Sequence, residues 1–196
     1  YDAVFEMVDG LVKRFGLDAS RVVVVPGNHD VNWDRSEDAY PFVPRRKLPA
    51  PIPEERSIPA GEAGALLRDD ALYSERFAPF NTHFYRRVYS GQDYPVAYGE
   101  QALFVERPED RILFLGLNSC WQVDHHFRTR VGIYLPALSG ILDRLQEGKY
   151  DGWLKIAAWH HPVTGKEMMN DEFMQLLAVH GFQVCQNELG VDDFDV

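Results

Sequence analysis

The stretch Val22-Val23-Val24-Val25-Pro26-Gly27-Asn28-His29-Asp30 decides the fold prediction for this chain. Four consecutive valines predict a β-strand that is buried on both faces, and Pro26-Gly27 ends it. The polar residues from Asn28 to Asp30 therefore lie on a loop at the carboxyl end of that strand. Ligands bind at this edge in open α/β sheets. The stretch thus predicts a strand that leads into a functional loop.

Helical and strand-like patterns alternate through the rest of the chain. Apolar residues recur at helical spacing from Val4 to Phe15, which predicts an amphipathic helix that packs on a sheet and is already under way at Tyr1. Further helices are predicted over residues 65–90, 135–145 and 172–180, and strands over 102–105, 112–117, 153–159 and 182–185. The alternation is typical of an α/β fold, and we expect one domain over residues 1–196, incomplete at both ends.

A proline-rich segment follows the first functional loop. Six prolines fall between Pro41 and Pro59 among charged residues, a composition that does not continue a helix or a central strand. We therefore predict an exposed insertion over about residues 34–64. Because it follows Asp30 so closely, a lid or substrate-selecting role and a plain solvated excursion both stay open.

The composition limits the partners of the protein. A formal charge of −10 and a pI near 5.1 disfavour nucleic acid, although a local basic patch would escape a whole-chain count. A divalent metal would let so acidic a protein hold a phosphate group. The apolar runs are too short to cross a bilayer, no signal segment opens the chain, and the two cysteines, Cys120 and Cys185, are expected to be buried thiols. We expect a soluble cytoplasmic protein without a membrane partner.

Each residue of the loop from Gly27 to Asp30 has a possible chemical role at a metal site. Gly27 permits a tight turn, and Asn28 offers a neutral oxygen ligand to a metal ion. His29 is a proton donor near neutral pH, and Asp30 is placed to orient its imidazole. The alternative is a turn in which the Asn and Asp side chains bond only their own backbone.

A second motif lies far downstream. The predicted strand over residues 153–159 delivers His160 and His161 to its carboxyl end, where Pro162 turns the chain out of the sheet. Imidazole is a common metal ligand, so the pair predicts a metal site. The alternative is two partly exposed histidines in a loop.

Together these motifs resemble the calcineurin-like metallophosphoesterases. The strand end at Leu117-Asn118-Ser119 and the helix before the His-His-Pro strand are also similar to that family. The resemblance implies a four-layer α/β/β/α sandwich that binds two divalent metal ions (manganese, iron or zinc) and hydrolyses phosphoesters. It implies that Asn28 and His160 bind metal, that His29 protonates or steadies the leaving group, and that Asp30 orients His29. It further implies positions around the metal or the substrate for Gly27, Asn118 and His161.

The chain also departs from the family pattern. Neither an Asp-x-His nor a Gly-Asp motif precedes Gly27, and the sequence after Cys185 reads Gln-Asn-Glu-Leu-Gly in place of Gly-His-x-His. We therefore expect residues 1–196 alone to be inactive. A noncatalytic interaction or regulatory module that keeps the fold is the alternative. Monoesters, diesters, cyclic nucleotides and nucleic acid all remain open as substrates, and the oligomeric state is open as well.

Two other groups of polar residues contain ligand types that suit a metal. Asp124-His125-His126 matches Asp-x-His, although it follows the Gly-Asn-His-Asp motif instead of preceding it. Besides a metal pair, it is compatible with a substrate-facing loop near Arg128 and Arg130, and with a plain polar loop. Carboxylates close to the last residue are the other group: Glu188, Asp192, Asp193 and Asp195.

Overall fold

The computed structural model describes residues 1–145, 148–162 and 172–185, with the side chains of residue 172 and residues 183–185 excepted. It shows a mixed α/β protein with two small sheets. The helices are α1 (Asp2–Arg14), α2 (Trp33–Asp38), α3 (Asp70–Ser74), α4 (Ala78–Phe80), α5 (Arg86–Val88), α6 (Leu135–Leu145) and α7 (Glu172–Val179). The strands are β1 (Phe42–Pro44), β2 (Ser57–Pro59), β3 (Gly64–Leu67), β4 (Ala102–Arg107), β5 (Ile112–Leu117), β6 (Leu154–Ala158) and β7 (Phe182–Cys185). None of the helices in these ranges is long and apolar enough to span a bilayer.

The larger sheet has the order β4-β5-β6-β7. Strands β4 and β5 form an antiparallel hairpin, whereas β6 and β7 extend the sheet in parallel through crossovers that contain α6 and α7. Alternate residues of β5 (Leu113, Leu115 and Leu117) are fully buried in the core beneath α6 and α7. The predicted strands and helices of this half of the chain are therefore confirmed.

The opposite face of the sheet is crossed by residues 22–25, and here the strand prediction is wrong. Val22 and Val24 contact an aromatic cluster, whereas Val23 and Val25 face Gly116 of β5, which is the period-two alternation of extended backbone. A Cβ on Gly116 would lie 3.2 Å from Val25 Cγ1. The segment belongs to neither sheet of the described chain, and the Tyr89 hydroxyl bonds the Val22 carbonyl and the Val24 amide.

The aromatic cluster is a second core between helices. Phe80, Phe84, Tyr85, Val88 and Tyr94 are buried together. Helix α1 packs on this cluster, not on a sheet as predicted. The predicted helix over residues 65–90 begins only at α3, because residues 64–67 pair with two other strands as β3. Pro79 does not break the helical run, since it lies in the first turn of α4 where no amide partner is lost.

The proline-rich segment, which was predicted as an exposed insertion, contains two short edge strands. Strands β1 and β2 pair with the two edges of β3 in an antiparallel sheet. Pro44 and Pro59 are the last residues of their strands, where a missing amide costs little. The predicted start at residue 34 lies inside α2, whose neighbours Ala39 and Tyr40 are buried. Most of residues 41–63 are exposed or half-buried, as predicted.

Candidate metal site

The first functional loop is a single 3-10 turn over Asn28–Asp30. The amide of Gly27 donates to Asp30 Oδ2 at 2.8 Å, and the amide of Asp30 donates to the Gly27 carbonyl at 3.1 Å. Asp30 therefore holds its own loop closed. A contact in which its carboxylate orients the His29 imidazole is not among the hydrogen bonds of the described chain, and the His29 side chain is exposed.

The second motif meets this loop across 132 residues of sequence. His160 is the second residue after the β6 end, and its Nε2 lies 3.0 Å from Asn28 Oδ1. The imidazole rests on the backbone of Gly27, where a Cβ would come within 3.0 Å of two ring atoms. Glycine at this position therefore allows the ring to approach. The fold brings one oxygen donor and one nitrogen donor together at the carboxyl end of the sheet.

The neighbouring His161 is buried, at 4% exposure. Its backbone amide donates to Ser119 Oγ at 3.2 Å, and its Nδ1 lies 3.0 Å from the same hydroxyl. Burial, together with the adjacent His160, lowers the pKa of His161 to about 4. The ring is therefore neutral at pH 7, and its buried Nε2 has no hydrogen-bond partner among the described residues.

Two further titratable groups, the Cys120 thiol and the Tyr1 hydroxyl, interact with Asp30 of this loop. Cys120 is fully buried, and its thiol lies 3.7 Å from the Pro26 carbonyl. Burial, with the Asp30 carboxylate as the next cause, raises the pKa of that thiol. The same two causes raise the pKa of the Tyr1 hydroxyl. The expectation of a buried thiol is confirmed for Cys120, whereas the Cys185 side chain lies outside the described residues.

Asn118 is not brought to the histidine pair by any hydrogen bond of the described chain. Its Oδ1 accepts from the Cys120 amide at 2.7 Å, and its Nδ2 donates to Gln101 Oε1 at 2.8 Å. These contacts shape the turn after β5. That turn carries Ser119, so Asn118 positions the residue that contacts His161.

Asp124 is a buried structural residue, which sets aside both the metal-pair reading and the polar-loop reading of Asp124-His125-His126. Its carboxylate is fully buried and accepts from the hydroxyls of Tyr40 and Tyr73 at 2.8 and 2.7 Å. It also accepts from the backbone amide of His126 at 2.8 Å. With its lone pairs used in this way, Asp124 anchors the loop against α3 and the segment that follows α2.

Sequence reasoning missed Arg76, whose side chain is fully buried. Its guanidinium donates to the carbonyls of Tyr73, Cys120 and Trp121 and packs 3.5 Å from the Tyr73 ring centroid. Because these carbonyls belong to the helix and to the loop after β5, Arg76 ties the two together. The available signal was an arginine within an aromatic helical stretch that was predicted to be core. Arginine is rarely buried without a partner, so a structural role was to be expected there.

The donor set fits part of one metal coordination sphere. Asn28 Oδ1 and His160 Nε2 converge, and within the described ranges no group of three or more His, Cys, Asp and Glu side chains is placed to hold a metal ion. The acidic residues 188, 192, 193 and 195 lie outside those ranges. Comparison of the chain with protein-family models, curated proteins and solved structures gives no match.

Proposed function

We propose that this chain forms part of a metal-dependent phosphoester hydrolase of the calcineurin-like metallophosphoesterase kind. The observation that carries the proposal is the 3.0 Å approach of His160 Nε2 to Asn28 Oδ1. Two short motifs, far apart in sequence, meet at the carboxyl edge of a partly parallel sheet, where α/β proteins bind ligands.

Asn28 and His160 are the residues that would hold a divalent metal ion. An amide oxygen and an imidazole nitrogen are acceptable to manganese, iron and zinc alike, so the pair does not select among them. A metal held there would supply Lewis acidity toward phosphate oxygens and a nucleophile at neutral pH. Gly27 serves the site by leaving room for the His160 ring.

His29 suits the role of proton donor to the leaving group. It follows Asn28 in the same 3-10 turn, and its side chain is exposed. Histidine is the side chain most often used as a general acid, so His29 suits an alkoxide leaving group. His161 is unsuited to that role, since its ring is buried and neutral.

The layer arrangement supports the four-layer sandwich as the finer description of the fold. Helices α6 and α7 cover one face of the larger sheet. On the other face, residues 22–25 lie between β5 and the aromatic helical cluster. The order helix, extended segment, sheet, helix follows the α/β/β/α sequence of layers, with a single segment in the second layer.

A noncatalytic module that keeps the fold is the second candidate. The observation that favours it is the small donor set, since only Asn28 and His160 converge within the described residues. Both candidates place the same two side chains together. They differ in whether the remaining ligands exist in the polypeptide that contains these residues.

The test uses a polypeptide that joins Asp-x-His, Gly-Asp and Gly-His-x-His segments to residues 1–196. We expect manganese-dependent hydrolysis of an aryl phosphodiester, which His160→Ala reduces to the rate in buffer. His29→Ala should slow alkyl phosphoesters by about a hundredfold to ten-thousandfold, and nitrophenyl esters by less, because nitrophenolate needs little protonation.

His126→Ala is the matched control, because it removes an exposed imidazole from a different loop and should leave the rate unchanged. Residues 1–196 alone should show no turnover. Absence of hydrolysis in the longer polypeptide, despite bound metal, would contradict the proposed function and favour the noncatalytic module.

A further inference from the structure

A cavity of about 300 Å³ lies between residues 22–23 and strand β4. Much of its lining is apolar or aromatic: Val22, Val23, Tyr85, Tyr89, Leu103 and Val105. The exposed residues Ser20 and Gln92 also line it, so the cavity is open to solvent. Its volume is at the lower end of the range of small-molecule sites. The cavity therefore has the size and the access that a small ligand needs.

The edge of residues 22–25 at this cavity is already hydrogen-bonded. The Tyr89 hydroxyl donates to the Val22 carbonyl at 2.8 Å and accepts from the Val24 amide at 3.0 Å. A neighbouring strand would need the same main-chain groups. Further segments of the polypeptide can therefore pair only with the opposite edge of residues 22–25, which leaves the cavity free for a ligand.

Arg107 is the cationic residue of the cavity lining. It is the last residue of β4 and lies on the same face as Leu103 and Val105, because alternate residues of a strand share a face. Its Nη1 donates to the Glu106 carbonyl at 3.1 Å, whereas its Nη2 is buried and has no hydrogen-bond partner in the described part of the chain. Buried donors are normally paired, so the cavity offers Nη2 to a negatively charged ligand group.

A neighbouring carboxylate favours a ligand with a single negative charge. The Arg107 charge lies close enough to Asp18 and Tyr89 to interact with both electrostatically. Asp18 is exposed and accepts from the amide and the hydroxyl of Ser20, which lines the cavity. This carboxylate would repel a dianion such as a phosphomonoester. A ligand carboxylate fits better, because it carries one charge and its planar shape matches the guanidinium group.

The cavity is separate from the candidate metal site. Arg107 is paired with Ile112, the first residue of β5. His160 instead follows the carboxyl end of β6, which runs parallel to β5. The two sites therefore lie at opposite ends of the larger sheet, so a ligand in the cavity does not take the place of the proposed substrate.

We propose that this cavity binds a small aromatic carboxylate. The ring packs against the apolar lining and the side chains of Tyr85 and Tyr89, whose ring centroids are 4.4 Å apart. The carboxylate accepts a hydrogen bond from Arg107 Nη2. A neutral aromatic compound leaves this donor unpaired, and a carboxylate without a ring leaves the apolar lining in water. Both partial ligands should therefore bind more weakly than the aromatic carboxylate.

Equilibrium dialysis of residues 1–196 against 2-naphthoate, with a chelator present, tests this proposal. We expect one molecule to bind per chain, with a dissociation constant below about 1 mM. Two further probes separate the parts of the ligand. 2-Naphthalenemethanol keeps the rings without the charge, and acetate keeps the carboxylate without the rings. Each should bind at least about tenfold more weakly than 2-naphthoate.

Three variants locate the bound ligand. Arg107→Met removes the donor, and it should weaken 2-naphthoate by about tenfold to a hundredfold while 2-naphthalenemethanol is unaffected. Val105→Trp fills the cavity and should abolish binding of both compounds. Arg46→Met is the matched control, because Arg46 is exposed in the turn after β1 and does not line the cavity. It should bind 2-naphthoate as the unchanged chain does.

Three results would overturn the proposal. The first is the absence of saturable 2-naphthoate binding up to about 1 mM. The second is equal affinity for 2-naphthoate and 2-naphthalenemethanol in the unchanged chain, a comparison that decides the matter even where a variant fails to fold. The third is an affinity in Arg107→Met that equals that in Arg46→Met. None of these measurements involves metal or turnover, so their failure is distinct from failure of the proposed function.

Discussion

Residues 22–25 and strand β6 are two apolar segments that each lead into a candidate metal ligand, Asn28 in one case and His160 in the other. Strand β6 lies between two neighbours, with Ile156 opposite Phe114 on β5 and opposite Gln183 on β7. Residues 22–25 have the Tyr89 hydroxyl on one edge and no strand within the described residues on the other. Two apolar segments of the same kind therefore differ in their main-chain hydrogen bonds: β6 is paired on both edges, and residues 22–25 are in no ladder of the described chain.

The difference separates what a local pattern specifies from what the rest of the chain must supply. Four valines produce the alternation of an extended backbone, because β-branched side chains favour it and each face meets apolar neighbours. A ladder needs a second strand as well. Face packing against Gly116 nevertheless brings residues 22–25 to the correct place, so the two ligands meet without a shared ladder.

The largest effect expected from this comparison is that of a pair of proline substitutions on stability. Ile156→Pro should lower the free energy of unfolding by about 3 kcal/mol or more, because a strand with neighbours on both sides loses a ladder bond. Val23→Pro should cost less than about 1 kcal/mol, since the Val23 amide has no partner in the described chain. Urea unfolding measures both.

The matched control for the proline pair is alanine at the same two positions, which separates the loss of a side chain from the loss of an amide. Equal costs for the two prolines, after the alanine values are subtracted, would show that residues 22–25 are paired in solution. That result would remove the contrast between the two segments.

A smaller expected effect is the dependence of stability on pH that arises from His161, close to the β6 end. The pKa of His161 is about 4 in the folded protein against an ordinary value of 6.5, so the unfolded chain binds more protons between those values. Stability should therefore rise with pH from 4 to 6.5 and be lost as pH falls through that window. The difference in pKa corresponds to about 3 kcal/mol in total.

Unfolding in urea at a series of pH values, with a chelator present, measures this dependence. His161→Gln does not titrate and should flatten the slope between pH 4 and 6.5. Tyr89→Phe is the control, since it removes two hydrogen bonds but no group that titrates there, and it should keep the slope. An unchanged slope in His161→Gln would show that the buried imidazole is not the group responsible.

The fold was predictable from sequence wherever neighbouring strands and helices are close in the chain. The predicted strand over residues 112–117 and the helix over residues 135–145 are confirmed to the residue, because their apolar periods match their burial. The two strands β1 and β2 were missed because proline composition indicated a loop, whereas pairing with β3 is a tertiary effect.

The sequence was enough to predict which two motifs form the candidate site, but not the contacts of the residues around them. Placing each motif at the end of a predicted strand was enough to predict that Asn28 and His160 lie together. The sequence did not indicate that the carboxylate of Asp30 accepts from the backbone amide of Gly27, and its predicted role in orienting His29 stays a prediction. Asp124 and Arg76 could not be assigned, since their partners Tyr40 and Tyr73 or the Cys120 carbonyl become neighbours only on folding.

The most direct test of the account is manganese binding to residues 1–196, measured from the paramagnetic resonance of free Mn²⁺. We predict at most one ion, bound more weakly than about 0.1 mM, because two protein donors are fewer than a closed site requires. Binding should be lost in His160→Ala and in Asn28→Leu, and kept in His126→Ala. Two tightly held ions, or binding that survives His160→Ala, would contradict the assignment of this pair as the metal ligands of the chain.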